Sequence, residues 1–295
     1  MAWKRILLII NPEAGHGMPD LEIGMVCRSL SAGGAAVDVR FTSADKGAGY
    51  WVREEGAAHD LIVVAGGDGT LKESSQGLLR AHLDTPIAFL PVGSTNDVAL
   101  SLGISKDLLH ESRKIRNGEP QYVDVGLAGS EYFIYVCSFG AFTETSWQTP
   151  RESKQMWGHM AYILEGARRL PNLRAYDCEV RADDEVLSGK WLFGALLNTH
   201  SLGGIIKLPA DKVRLDAGKL ELLLIREPAD RLTFAQVATD LLNQRFSHPD
   251  IVFRHCTKVS FSFDEDVSFT LDGEFGGFHQ KLEVDTLHQA LPLIF

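Results

Sequence analysis

The sequence predicts two folded parts in one chain: an α/β domain built on a parallel sheet, followed by a β-rich domain. Three observations carry this expectation. Apolar runs alternate with helix-patterned stretches up to Asn117, as in a parallel sheet covered by helices on both faces. Three of those runs end in loops of glycine and small polar residues. After Asn117-Gly-Glu-Pro120 the texture changes to short alternating runs separated by Asp-, Gly- and Ser-containing turns, the pattern of antiparallel strands. The expected boundary divides 1–124 from 125–282, and the apolar tail 283–295 is expected to pack on the protein, where it can return to the first domain.

Residues 5–10 are an apolar run and read as a first buried strand. Lys4 and Arg5 with the apolar residues after them could open a signal peptide, but Asn11-Pro12-Glu13 ends the run early and no small-residue cleavage site follows. Residues 21–32 are patterned as a helix, and 36–41 as a strand with Thr42 and Ser43 as capping residues. Residues 47–59 form a helix weakened by Gly49. Residues 61–65, all apolar and mostly branched, form a strand that runs into Gly66-Gly-Asp-Gly-Thr70, with a helix over 70–82. The next strand, 85–90, opens into Pro91-Val-Gly-Ser-Thr-Asn-Asp97. In such sheets ligands sit outside the carboxyl ends of the strands. The loops 11–17, 66–70 and 93–97, with Thr42, are therefore expected to line one edge.

In the second domain, strands are expected at 122–127, 132–138, 175–180, 191–198, 220–225, 258–263 and 267–271. A helix over 154–170 ends at Pro171 and carries an apolar stripe of Met156, Trp157, Met160, Ile163, Leu164 and Ala167, which either greets an acyl chain or, as the commoner explanation, packs in the core. Its Lys154, Arg168 and Arg169 read as solvated charges. A shorter helix follows over 233–242.

Charge narrows the partners. With 29 Lys and Arg against 39 Asp and Glu, the net charge is −10 at pH 7. That argues against a nucleic acid partner, which needs clustered cations to neutralise phosphates. It also gives no support for attraction of the whole surface to anionic lipid. No apolar run has the length needed to span a bilayer. Cys27, Cys137, Cys178 and Cys256 are scattered without pairing or metal spacing and fit a reducing cytoplasm. The histidines show no ligand spacing, and His200 reads as structural.

The loops carry the chemistry. Gly66, Gly67 and Gly69 around Asp68 exceed what an ordinary βα turn needs, although such a turn is the alternative. They let backbone N–H groups approach a phosphate, and the helix N-terminus behind them adds positive partial charge. The loop lacks the Gly-Lys-Ser/Thr ending of a P-loop. A carboxylate beside bound phosphate is repelled unless a cation lies between them, so Asp68 points to Mg²⁺. Asp97 belongs either to the same acidic group or to a helix N-cap. Asp272-Gly273-Glu274 is either a hairpin turn or the source of a base for an attacking hydroxyl.

Several motifs occur together in a fixed order. They are Gly66-Gly-Asp-Gly-Thr-Leu71, Gly93-Ser-Thr-Asn-Asp97 with Val98-Ala99, Leu202-Gly-Gly204 with Pro209-Ala210, and Asp272-Gly-Glu274. Asn11-Pro12 and Gly15 precede them, and Gly158-His-Met-Ala-Tyr162 lies in the middle. Over essentially its whole length the sequence resembles the bacterial lipid kinases with a diacylglycerol kinase catalytic domain, relatives of sphingosine and ceramide kinases. The resemblance implies that the second domain is a β-sandwich and that the active site lies in the interdomain cleft. It implies ATP held by Asn11, Thr42, Gly66, Gly67, Asp68, Gly69, Thr70 and Thr95. It implies Glu274 as general base, with Asp272, Asp68 and Asp97 forming an acidic network around Mg²⁺, and a lipid as acceptor.

Two positions depart from the family. Lys72 stands where the family usually has Asn, and either touches the ATP phosphates or points to solvent. The turn Asp216-Ala-Gly-Lys-Leu220 replaces the Asp-Asp-Gly-x-Leu of a second metal site, leaving Asp216 and the Leu220 carbonyl to hold an ion there. The expected function is an ATP- and Mg²⁺-dependent kinase acting on a hydroxyl of a membrane lipid such as diacylglycerol. It is expected in the cytoplasm with peripheral membrane contact, and a homodimer is open to it through a sheet edge. Two other readings stand beside it. One is a nucleotide- or lipid-binding regulator with weak or lost catalysis, supported by Lys72 and Ala217. The other is a soluble-substrate kinase like the NAD kinases, which share Gly-Gly-Asp-Gly but should lack Asp-Gly-Glu and Gly-Ser-Thr-Asn-Asp.

Overall fold

The computed structural model describes residues 3–94, 96–141, 173–202, 206–208 and 213–295. The chain divides into two compact units, Met1–Asp124 with Gln289–Phe295, and Val125–His288.

In the first unit the elements run β1 (Arg5–Ile10), α1 (Asp20–Ser31), β2 (Ala36–Phe41), α2 (Ala48–Glu55), β3 (Leu61–Gly66), α3 (Asp68–Arg80), β4 (Ile87–Pro91), α4 (Asp97–Leu102) and α5 (Leu108–Asn117). β1 pairs in parallel with β2 and β3, and β3 with β4, giving the spatial order β2-β1-β3-β4. The order reverses between β1 and β3, which is where doubly wound sheets open a crevice for ligands. Every residue of β3 is buried, as its unbroken apolar run requires of a strand covered on both faces. Ile6, Leu8, Leu61, Val63 and Ala65 form the core with Val26 and Leu30 of α1.

Gly49, which lowers helix propensity in α2, has a packing reason. A Cβ on Gly77 of α3 would lie 2.7 Å from the Gly49 carbonyl oxygen, so the two helices approach closely where both lack side chains. The helix expected to reach residue 59 ends at Glu55 and tightens into a short 3₁₀ turn, Gly56–Ala58.

In the second unit come the rest of β5 (Gln121–Ala128), then β6 (Glu131–Phe133), β7 (Val136–Gly140), β8 (Tyr176–Ala182), β9 (Glu185–Leu197), β10 (Ser201–Leu202), β11 (Ile206–Lys207), β12 (Leu220–Arg226), α6 (Arg231–Leu242), β13 (Ile251–Cys256), β14 (Lys258–Leu271) and most of β15 (Glu274–Ile294). Its ladders are antiparallel, including β12 with β9 and β13, β7 with β9 and β14, and β14 with β15. Phe139 centres the core, with the rings of Phe261, Phe263 and Phe269 at 5.0–5.5 Å.

The strand expected over 191–198 begins earlier, at Glu185, β13 is not among the expected strands, and two expectations change in continuity. The single strand expected over 132–138 is split into β6 and β7, because the N–H groups of Ile134, Tyr135 and Val136 turn to a carboxylate from far along the chain. The pair expected at 258–263 and 267–271 is one strand, β14, with a register shift between Ser262 and Val267. The last residues of β15 complete the first unit's sheet: Leu293 and Ile294 pair in parallel with Ile87 and Ala88 of β4. There the fully buried Asp124 accepts the Gln289 N–H at 2.8 Å. The helix expected over 154–170, with Met156, Trp157, Met160, Ile163, Leu164, Ala167, Lys154, Arg168 and Arg169, lies outside the described residues, as do Thr95, Gly203, Gly204, Pro209 and Ala210.

Candidate functional site

Strand register lines up the loops of the first unit. β1 pairs Ile10 with Phe41, so Thr42 follows beside Asn11, and the Thr42 N–H donates to the Ile10 carbonyl at 2.9 Å. β1 pairs Ile10 with Ala65, and the Asn11 N–H donates to the Ala65 carbonyl at 2.8 Å. β3 pairs Gly66 with Pro91, and the Gly66 carbonyl accepts the N–H groups of Val92 at 2.8 Å and Gly93 at 3.1 Å. The three loops read from the sequence meet at one sheet edge.

They meet closely because glycines stand at the contacts. A Cβ on Gly66 would lie 2.5 Å from the Thr70 hydroxyl oxygen, and one on Gly93 would lie 2.6 Å from the Gly67 Cα. Gly15, at φ 60°, would place its Cβ 2.2 Å from the Val92 carbonyl oxygen. Asn11 ties the first loop to the second: its Nδ2 donates to the Thr70 hydroxyl at 3.0 Å, while its Oδ1 accepts the Glu13 N–H at 3.0 Å.

Asp68, the first residue of α3, reaches the third loop. Its Oδ2 accepts the Asp97 N–H at 3.0 Å and its Oδ1 the Val98 N–H at 3.2 Å. These are the opening N–H groups of α4, whose N-cap, Asn96, makes no side-chain cap bond of its own. The carboxylate of Asp68 caps that helix from 29 residues away. It thus serves two helix N-termini, where negative charge is favoured. Asp97 is the first helical residue of α4, which corrects its reading as the N-cap.

Asn96 is the residue that sequence reasoning passed over. It is left-handed (φ 55°), 1% exposed, and its Nδ2 donates to the Gly93 carbonyl. Its signal was present, since Asn tolerates the left-handed region. Lys72 is 8% exposed, which corrects its solvent-facing reading; it lies one helical turn after Asp68 on the same face of α3.

In the second unit Asp272 and Gly273, at φ 53° and 82°, make the two-residue turn joining β14 to β15. The Asp272 carboxylate accepts N–H groups from Ile134 at 3.0 Å, Tyr135 at 2.8 Å and Val136 at 2.9 Å. Its own N–H donates to the Val136 carbonyl at 2.7 Å. The hairpin is therefore clamped to segment 134–136, and the Tyr135 hydroxyl extends the network to the Ser201 carbonyl at 2.8 Å. Glu274 follows the turn, exposed.

The residues suggested for a second ion are engaged elsewhere. Asp216 pairs with Arg214 at 3.2 and 3.3 Å, and the Leu220 carbonyl accepts the Cys256 thiol at 3.6 Å. Among the described residues no group of three or more His, Cys, Asp and Glu side chains is arranged to hold a metal.

Known proteins resemble this chain in sequence and fold. The sequence profile of the diacylglycerol kinase catalytic domain matches residues 5–128, which include all three loops. A diacylglycerol kinase of Bacillus subtilis (strain 168) is 31% identical over 277 residues, 93% of this chain and 91% of that protein. The crystal structure of a diacylglycerol kinase from Bacillus anthracis matches with a TM-score of 0.77 at 20% identity, covering 100% of this chain and 98% of that one. An NAD kinase from Archaeoglobus fulgidus, solved in complex with ATP, matches with a TM-score of 0.51 at 13% identity, covering 99% and 92%. At these identities the two structures establish a common fold.

Proposed function

The chain belongs to the diacylglycerol kinase family and is a lipid kinase, and from that premise we propose that it transfers the γ-phosphoryl group of ATP, with Mg²⁺, to a hydroxyl of diacylglycerol. The observation that carries this reading is the Asp68 junction, where one carboxylate joins the glycine loop after β3 to the start of α4. Backbone N–H groups at the start of α3 suit a phosphate. Asn11, Thr42, Gly66, Gly67, Gly69 and Thr70 are the proposed nucleotide contacts, and Thr95 joins them on its motif. Lys72 brings a buried cation one turn from Asp68, and we assign it to offsetting phosphate charge.

The donor set fits Mg²⁺. That ion is commonly held by one or two carboxylates together with substrate phosphates rather than by an all-protein cage. Asp68 and Asp97 supply hard oxygens of this kind, and the metal supplies neutralisation of the charge in transfer. A second ion at Asp216 and Leu220 would have to displace the Arg214 pair and forms no part of this reading.

Glu274 is the proposed general base for the acceptor hydroxyl. Asp272, with three backbone donors on its carboxylate, is a positioning residue that fixes the turn from which Glu274 projects. The reading requires residues of both units. Its test is incubation with γ-labelled ATP and mixed micelles of diacylglycerol, phosphatidylglycerol, a sphingoid base or undecaprenol, followed by chromatography. Label in phosphatidic acid is the expected result. Tight ATP binding with no labelled lipid from any micelle would favour the regulator, and label in NADP alone, from a parallel incubation supplied with NAD, the soluble-substrate kinase.

A further inference from the structure

Two phenylalanines stand on the outside of the second unit directly after Glu274. Phe275 is 50% and Phe278 65% exposed, and their rings meet edge to face at 5.3 Å. Residues three apart on a regular strand point to opposite faces. A bulge overrides that rule here. Thr270 pairs with Phe275 and Ser268 with Phe278, so two steps along β14 face three along β15. Directly opposed residues share a face of the sheet, so both rings stand on the same side.

The bulge is built from glycine. Gly277 has φ 97°, and a Cβ on Gly276 would lie 2.8 Å from Leu271 Cγ. It is also braced. The His279 Nε2 lies 3.0 Å from the Gly276 carbonyl, and its ring packs edge-on against Phe269 at 5.8 Å. The Asp272 clamp holds the turn at the other end. Single exposed apolar side chains are ordinary on protein surfaces. A pair gathered by a bulge, next to the residue that would activate the acceptor, is not scattered apolar surface.

We propose that Phe275 and Phe278 form an apolar wedge by which the Glu274 hairpin enters the acyl layer of the membrane that holds the acceptor lipid. The proposal rests on the lipid-kinase reading above. The hydroxyl of a diacylglycerol lies at the membrane surface with its acyl chains beneath. A base that reaches that hydroxyl brings its neighbours against hydrocarbon. The net charge of −10 opposes an electrostatic approach to anionic lipid. Aromatic rings partition into the interface without help from charge. Docking through this pair is therefore apolar and insensitive to salt.

The test is co-sedimentation with phosphatidylcholine vesicles containing diacylglycerol, without ATP, so that the readout does not depend on phosphoryl transfer. The wild-type chain is expected to sediment equally at low and high salt. Phe275→Ala/Phe278→Ala is expected to lose about tenfold or more in partition, given the apolar area removed. Its melting temperature should hold, since both side chains are exposed. In a separate variant, Phe278→Trp, the new indole emission is expected to shift to the blue on vesicles and to be quenched by brominated acyl chains.

Equal partition of the double variant and the wild type overturns the proposal. So does wild-type binding that disappears at high salt, or no wild-type binding at all. A wild-type dimer that the double variant converts to monomer also overturns it, because a second copy then covers the pair. If vesicle binding behaves as expected but diacylglycerol is not phosphorylated, the wedge stands and diacylglycerol falls as the proposed acceptor.

Discussion

Asp68 and Asp272 act alike, each in its own unit: each commits its carboxylate to backbone N–H groups of a distant segment. Neither bond partner follows from a local pattern, because Asp272 reaches back more than 130 residues. The sequence marked both aspartates as chemistry and left open whether Asp-Gly-Glu was only a turn. It is a turn, and its Asp is also an anchor. Asp272→Asn keeps a residue that tolerates the left-handed backbone but puts an amide where an acceptor is needed. Loss of a charge-assisted set of this kind costs about 2 kcal/mol, so the melting temperature should fall by several degrees and turnover should fall with it. Unchanged melting would remove the anchor role.

At the scale of elements, legibility followed locality. β1 and β2 are bounded by the residues that bound their apolar runs, and Asn11-Pro12 stops β1 visibly. α4 was hidden, because it spans only Asp97–Leu102 and its cap comes from another helix. The break between β6 and β7 was hidden for the same reason, since the carboxylate that diverts those N–H groups sits in a remote turn. The three-loop edge was legible because glycine and small polar residues at strand ends are a local signal, whereas its tightness was not. Gly93 tests that tightness. A methyl there would meet the Gly67 Cα at 2.6 Å, a backbone atom that cannot swing aside. Gly93→Ala should therefore push the second and third loops apart and weaken ATP binding about tenfold or more, by calorimetric titration. Unaltered affinity would detach this edge from the nucleotide.

For the molecule as a whole, acid is expected to loosen the first unit through its amino-terminal strand. Hydrogen bonds from the Arg5 and Lys4 N–H groups hold the Asp60 carboxyl below its usual range, and bonds to His59 and Arg5 do the same for Asp38. Depressed carboxyls contribute stability that is complete above their ordinary value, near ~3.9, and that is lost as the pH falls through the lower folded values. The urea midpoint should therefore be steady from neutral pH down to about pH 5 as far as these groups are concerned, then drop; Asp60→Asn should flatten the drop. A midpoint that climbs into acid would contradict this. The thiols give a second global readout. Burial pushes Cys178 and Cys256 up to about 12 and raises Cys137 further, while Cys27 is only partly buried. A thiol reagent near neutral pH should reach Cys27 first and the other three only on unfolding; fast native labelling of all four would mean the second unit opens readily. The claim on which the rest depends is that Glu274 accepts the proton of the lipid hydroxyl while the first unit's loops hold the nucleotide. The most direct measurement compares Glu274→Gln with wild type for both lipid phosphorylation and ATP affinity. The expected result is transfer reduced by about a hundredfold or more with ATP affinity unchanged; undiminished transfer by that variant would contradict the assignment outright.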